Sequence, residues 1–382
     1  MASAYKRCVT DRILIYRPGS LGDAIVSLPA LRLIKSAFPR AERWVCTHFP
    51  KSGKAPPLAA VLDGTGLVHS YLEYPAGRSS VRDLLELRKQ IRRRGFRAFV
   101  YLAPRRTLLG VVRDALFFRS CGIRQLIGLP FRYGDRENRW LERLHRYESE
   151  AERLARCIAI LGEANVASDA SWSLGALDKE RASIKRVLTG AFVSTPFIAC
   201  NVGGKIEVKD WGRQRWQTLL SRIAIRHSRL GFVIIGASDE RERGDELCRH
   251  WLGPTLNLSG ELTPRESAAV LEKAALFIGH DSGPMHLAAA VGVPCVAIFS
   301  ARDKPGVWFP HGEGHKVLYH QTHCHGCRLT TCKKYGAKCI TSIAVEEVQT
   351  ALDELLSVPS TAERMVEIND MVDNGRFASD SD

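Results

Sequence analysis

Short, largely apolar runs recur along the chain, each followed by a longer stretch whose apolar positions return every three or four residues. In the first part the runs are RILIYR (Arg12–Arg17), RWVCTH (Arg43–His48) and AFVYLA (Ala98–Ala103). In the second they are Pro196–Gly204, Leu230–Ser238, Ala274–His280 and Val293–Ser300. Runs this short, bounded by turn residues, predict buried strands. The stretches between them predict helices: AIVSLPALRLIKSAF as one, a basic one near Val81–Arg94, a long amphipathic one over Tyr147–Gly162 and one over Pro284–Gly292. Strands alternating with helices mean βαβ units and a mostly parallel sheet, an α/β fold. The polar stretch Glu163–Glu180 reads as a linker. The expected division is therefore an amino-terminal domain over 1–175, a carboxy-terminal one over 176–357 with a cleft between them, and a polar, partly disordered tail over 358–382.

Composition narrows the class. The chain has 382 residues, enough for two cores, and 45% hydrophobic with 25% charged residues fits a globular protein in water. The longest weakly polar stretch, Leu287–Ala301, is broken by Gly292 and Pro294 and falls short of the roughly 18 residues that suggest a membrane span. Asp11 and Arg12 stand where a signal peptide needs its apolar segment, so a cytoplasmic location is expected, with peripheral attachment to the inner membrane compatible with it. A net charge of +14 calls for an anionic partner: nucleic acid, an acidic membrane surface or a phosphorylated substrate. The charge gathers in Arg88, Lys89, Arg92, Arg93, Arg94 and Arg97 and continues through Arg105, Arg106, Arg113, Arg119 and Arg124. No zinc-finger spacing, RNP-like motif or basic zipper accompanies it, which argues against nucleic acid.

Chemistry concentrates at turns. In GHDSGPMHLAAAVG, Asp281, Ser282 and Gly283 join an apolar run to a helix with Pro near its start and Gly at its stop. At the carboxyl edge of a parallel sheet such a turn offers free N–H groups and a positive dipole end, suited to phosphate; a plain N-cap role for Asp281 or Ser282 is the alternative. In PGSLGD, Gly19, Ser20 and Gly22 present Asp23 before a helix expected to begin at Ala24. The spacing is not GxGxxG, so a dinucleotide site and a dehydrogenase are unsupported.

Three stretches, ILIYRPGSLGDAIVSLPALRLIKSAFP, VKDWGRQRW and IGHDSGPMHLAAAVGVPCVAIF, resemble in the same order the motifs of the ADP-heptose–lipopolysaccharide heptosyltransferases, glycosyltransferase family 9. FVIIGASDERER and NLSGELTPRESAAVLEKA extend the resemblance, which runs from about Ile13 to about Leu356. It implies a GT-B architecture, two Rossmann-like domains facing each other across a cleft, with acceptor bound mainly by the first and nucleotide sugar by the second. It also implies an inverting reaction that needs no metal. Asp23 matches the catalytic acid of the family, a general base for the acceptor hydroxyl, although a helix cap is its plain alternative. Ser20, Gly22, Arg105 and Arg106 are the expected acceptor contacts. Lys209, in the Lys-x-Trp element with Trp211, would stabilise the departing diphosphate. Asp281, Ser282 and Gly283 match the turn that holds the donor, Asp281 accepting from sugar hydroxyls or backbone N–H groups. His286, one turn on, either donates to phosphate or is a buried core histidine. Gly203 and Gly204 precede Lys209 where the family often has hydroxyl residues, and would offer backbone N–H groups instead. Glu240 is the candidate for the ribose hydroxyls, with Asp239 competing.

Eleven cysteines without a leader suggest reduced thiols. Seven are scattered. Cys324, Cys327, Cys332 and Cys339, in CHGCRLTTCKKYGAKC with His323 and His325 beside them, are grouped as a candidate structural Zn or Fe site. The expected function is transfer of heptose from ADP-heptose to an acidic, lipid-linked lipopolysaccharide-core acceptor, with no cofactor needed for catalysis and no nucleic acid partner. The alternatives are a protein O-heptosyltransferase, a subgroup associated with a cysteine-bound iron, and a non-catalytic anion-binding module of the same fold.

Overall fold

A computed structural model describes residues 12–48, 57–75 and 80–358. Most of the amino-terminal stretch read against a leader, and all but the first residue of the polar tail, lie outside the described residues. The chain divides into two units, Met1–Ala176 and Leu177–Asp382.

The first unit is built on five parallel strands: β1 (Arg12–Tyr16), β2 (Glu42–Thr47), β3 (Ser70–Glu73), β4 (Ala98–Tyr101) and β5 (Gln125–Ile127). Their order is β3-β2-β1-β4-β5, with Tyr16 in register with Cys46 on one side and Tyr101 on the other. A small antiparallel pair, β6 (Trp140–Leu141) and β7 (Arg146–Tyr147), stands apart. The core gathers Leu14, Tyr16, Phe99 and Phe118 around the central strands.

In the second unit six parallel strands follow the same plan: β8 (Phe197–Asn201), β9 (Gly231–Ile234), β10 (Thr255–Asn257), β11 (Ala274–His280), β12 (Cys295–Phe299) and β13 (Lys316–Tyr319). The order is β10-β9-β8-β11-β12-β13. Every residue of β8, β11 and β12 is buried, which is why these strands read as continuous apolar runs: helices cover both faces of a parallel sheet. In each unit the strand order reverses at one place, between β1 and β4 and between β8 and β11. Ligands of open α/β sheets bind outside the strand ends at such points.

Three expectations change. AIVSLPALRLIKSAF forms two helices, Leu21–Val26 and Leu28–Ala37, because Pro29 lacks an N–H and opens the second helix, while Ser27 turns the chain with its hydroxyl on the Ala24 carbonyl at 2.7 Å. The long helix over Tyr147–Gly162 is only Glu150–Cys157, since Tyr147 pairs in β7 and Ser149 caps the start by accepting from the Glu152 N–H at 3.2 Å. The linker is docked rather than free: Trp172, Leu174 and Leu177 are buried, and Arg32 donates to the carbonyls of Ser171 and Ser173. No helix among the described residues is long and apolar enough to cross a membrane.

Candidate active site

In the first unit β1 delivers the chain to Asp23. Ser20, not Asp23, is the N-cap, and Asp23 is the third residue of the helix Leu21–Val26, with Gly22 beside it in the first turn. The sequence placed the helix start three residues late because Leu21-Gly22 looks like more turn. The Asp23 Oδ2 accepts from the Ser20 N–H at 2.9 Å. Its backbone carbonyl accepts from Arg17 Nε and Nη2 at 3.0 and 2.8 Å, and Oδ1 lies 3.3 Å from Nη2. Arg17 has no solvent exposure, and burial works against its charge, so it is held by Asp23, by the Leu102 carbonyl at 2.9 Å and by the buried Glu150 carboxylate at 3.9 Å. Gly19 has φ +153°, and a Cβ there would lie 2.3 Å from the Asp23 Cγ, so the glycine is what lets the carboxyl tuck over the turn. One fifth of the Asp23 side chain stays open, enough for a hydroxyl to reach an oxygen that already has a fixed direction.

Arg105 and Arg106 are committed to partners within the unit. Arg105 pairs with Glu137, and Arg106 donates to the Tyr16 hydroxyl at 2.9 Å and faces Asp114 at 3.2 Å. Asp114 is buried and also accepts from Tyr101 at 3.0 Å and Arg113 at 2.8 Å; without these cations it would be an unpaired buried charge. Arg106 therefore ties the end of β1 to the helix Leu108–Ser120, and Arg105 ties the segment after β4 to Glu137, roles their exposed-looking sequence context hides.

In the second unit the turn after β11 and the Lys-x-Trp element meet. Lys209 Nζ lies 2.5 Å from Asp281 Oδ2 and 3.2 Å from the Asp281 carbonyl. That ammonium is the counter-charge that makes a buried acid tolerable at this turn. Ser282 takes the N-cap position of the helix Gly283–Ala290, yet its hydroxyl donates to Asn201 Oδ1 at 3.1 Å instead of capping. Asn201 in turn donates to the Ile235 carbonyl at 2.9 Å and to Glu240 Oε2 at 3.1 Å. Glu240 also accepts from the Ala237 N–H at 3.1 Å, and burial raises its carboxyl above the ordinary value. Asp239 is exposed, so the structure distinguishes the two acids: Glu240 points inward. Cβ atoms added at Gly203 and Gly236 would lie 1.7 and 2.2 Å from the Glu240 carboxylate, so two glycines make the bed it occupies. Around a Gly204 Cβ there would be open space. His286 is buried, with Trp308 edge-on at 6.1 Å.

Sequence reasoning missed the residues that fix these loops. His280, at the end of β11, is buried, and its Nε2 accepts from the Trp211 N–H at 3.1 Å and from Trp216 Nε1 at 3.2 Å. Two donors on one nitrogen require the ring proton on Nδ1, which faces the Gly203 backbone. Burial pulls the imidazole down to about 4, so it is neutral. Asp210 takes a two-pronged contact from Arg243 at 2.8 and 2.9 Å and the Gly212 N–H at 2.9 Å; burial alone would raise its carboxyl, but these partners together bring it below its ordinary value. The signal for Arg17, Asn201 and His280 was present: each is the one polar residue that closes an apolar run at a carboxyl edge.

The four grouped cysteines line one cavity of about 690 Å³ together with His320 and His323. They are near enough for the other three to act on the buried Cys339 thiol, which burial raises first of all. Among the described residues, however, no three His, Cys, Asp or Glu side chains converge closely enough to hold a metal ion. The donors fit Zn or Fe in kind but not in arrangement. The loop itself is stitched to the site: the Val208 N–H donates to the Thr330 carbonyl at 3.1 Å, and Gly326 and Arg328 N–H groups donate to the carbonyls of Ala301 and Arg302 at 2.8 Å.

Residues 84–337, more than half of the chain, match the family described as glycosyltransferase family 9 (heptosyltransferase). The chain belongs to glycosyltransferase family 9. This family 9 protein is similar to lipopolysaccharide heptosyltransferase 3 of Escherichia coli, 27% identical over 126 residues, which are 31% of this chain and 36% of that protein. The match thus spans about a third of the relative's length. In fold the family 9 chain is similar to a glycosyl transferase family 9 structure from Veillonella parvula, with a TM-score of 0.68 at 18% identity over 91% of this chain and 97% of that one. It is also similar to the E. coli heptosyltransferase WaaC with ADP-2-deoxy-2-fluoro heptose, with a TM-score of 0.60 at 17% identity over 90% and 99%. The fold of this family 9 member is accordingly GT-B, two Rossmann-like units.

Proposed function

We propose that the protein transfers heptose from ADP-heptose to an acidic, lipid-linked lipopolysaccharide-core acceptor in the cytoplasm, inverting the anomeric centre and using no metal. The single observation that carries this reading is the Lys209–Asp281 pair at the start of the helix Gly283–Ala290. It puts an ammonium beside helix N–H groups where a strand-order reversal favours a ligand. The heptose and the ADP follow from family membership and from the ligand with which the E. coli neighbour was solved.

In this reaction the acceptor oxygen forms a bond to the anomeric carbon as the bond from that carbon to the diphosphate oxygen breaks. Asp23 takes the hydroxyl proton, and ADP departs with the electron pair. Charge grows on the leaving oxygen, and the Lys209 ammonium, with the N–H groups at Ser282 and Gly283, stabilises it more in the transition state than in the ground state. Gly204, with open space around it, leaves the backbone open to the diphosphate, while Gly203 gives the Glu240 carboxylate its place. Glu240, aligned by Asn201, accepts the ribose hydroxyls.

Thermal shift against ADP-, UDP-, GDP- and CMP-sugars tests the donor, because specific binding stabilises by mass action. ADP-heptose should raise the melting temperature and the others should not. A shift by UDP-sugars alone would remove the heptose assignment, and an ADP-sugar shift without transfer to any core acceptor would leave a non-catalytic binding module.

A further inference from the structure

Residues 81–147 hold seventeen Lys and Arg against six Asp and Glu, a net +11 of the chain's +14. The same span holds ten of the seventeen exposed large apolar side chains among the described residues. Charge and apolar exposure coincide most sharply on the helix Leu108–Ser120. Val111 and Phe118 face the core, while Leu109, Val112 and Leu116 form a row on the opposite side, with Leu109 82% and Leu116 66% exposed. A helix apolar on both faces needs a cover for each. Arg113 and Arg119, both exposed, flank the row on the helix surface. Arg88, from the helix Val81–Arg94, donates to the Ser120 carbonyl at 3.0 Å, and it and Arg92 lie beside Cys121 where the apolar helix ends.

We propose that the outer face of Leu108–Ser120 inserts into an anionic lipid bilayer, with Leu109, Val112 and Leu116 among the acyl chains and the surrounding arginines at the lipid phosphates. Long arginine stems reach from apolar depth to a charged surface, and each basic group near an anionic leaflet adds to attraction. A second copy of the chain is the poorer occupant, since it would bring the same dense positive charge to the contact. The inference names the surface on which the lipid-linked acceptor of the reading above would be met, but its test uses no sugar, so either can fail alone.

The full chain is sedimented with vesicles of phosphatidylcholine, with and without phosphatidylglycerol. The protein should pellet only with the anionic vesicles. L109Q/L116Q should weaken this about tenfold or more at an unchanged melting temperature, and R92Q/R93Q should weaken it about tenfold. Leu116→Trp should be quenched by lipids brominated on their acyl chains. Equal binding by L109Q/L116Q, no quenching, or equal binding to neutral vesicles overturns the proposal. A dimer in light scattering that L109Q/L116Q abolishes also overturns it, assigning the face to a second copy.

Discussion

The two units solve one problem in two ways. Each brings an acid to the carboxyl edge of a parallel sheet where the strand order reverses, and each supplies a cation to hold it. In the first unit the cation is Arg17, fully buried and fixed by the Leu102 carbonyl as well as by Asp23. In the second it is Lys209, on a short turn and partly open to solvent. A planar, multiply bonded guanidinium sets a direction and keeps it, whereas an ammonium on a flexible stem can change partner. In the reaction proposed above, the difference suits an acid aimed at one hydroxyl and a cation that follows a leaving group.

Three perturbations test the contrast, in falling order of effect. Asp23→Asn keeps the helix-start contacts and loses basicity, so turnover should fall about 10²–10⁴-fold while ADP-heptose still raises the melting temperature. Near-normal transfer would make Asp23 a structural residue and the first turn a mere scaffold. Lys209→Ala should lower kcat/KM about 10²-fold, with donor affinity and turnover falling together. Combining it with Asp281→Asn distinguishes the roles: recovery in the double variant would mean that Lys209 only balances Asp281, and persistent loss is expected.

The smallest effect concerns acid. His280 has an ordinary value of 6.5 and is held at about 4 when folded, so the unfolded chain takes up the proton first as pH falls. Its contribution is intact above the unfolded value and is lost as pH drops toward the folded one, about 2 kcal/mol between pH 6.5 and 5. Urea unfolding of the wild type and His280→Asn at pH 7 and 5, followed by Trp fluorescence, should show a smaller pH dependence in the variant. Identical slopes would take His280 out of the account. Arg17 does not titrate in this range, so the first turn has no counterpart to this sensitivity.

How much could be read beforehand follows from burial. The central strands β1, β2, β4, β8, β9, β11 and β12 were legible as apolar runs. Those of the two parallel sheets that were not, β3, β5, β10 and β13, are the sheet edges, where half-exposed positions carry Ser, Glu, Gln, Thr, Asn and Lys. At the turns, residue type and order pointed to Asp23, Lys209 and Asp281, but not to which groups face one another. Lys209 and Asp281 are far apart in sequence, and no local pattern joins them. Arg105 and Arg106 show the opposite failure: a basic run looks like free charge until Glu137 and Asp114 fold against it.

The bond from Val208 to Thr330 has a consequence for how the protein is made. Lys209 leaves the ribosome with its neighbours, but the carbonyl that anchors the preceding residue is synthesised about 120 residues later, at roughly 5–20 residues per second. A nascent chain stopped after β12 has every strand of the second sheet except its last edge, yet lacks the segment that pins the Lys209 turn. Sheet assembly and loop anchoring are thus separated in time along the growing chain: a product truncated there lacks both the fastening beside Lys209 and the helix Val345–Leu356, whose Val348, Leu352 and Leu355 complete the core of the second unit.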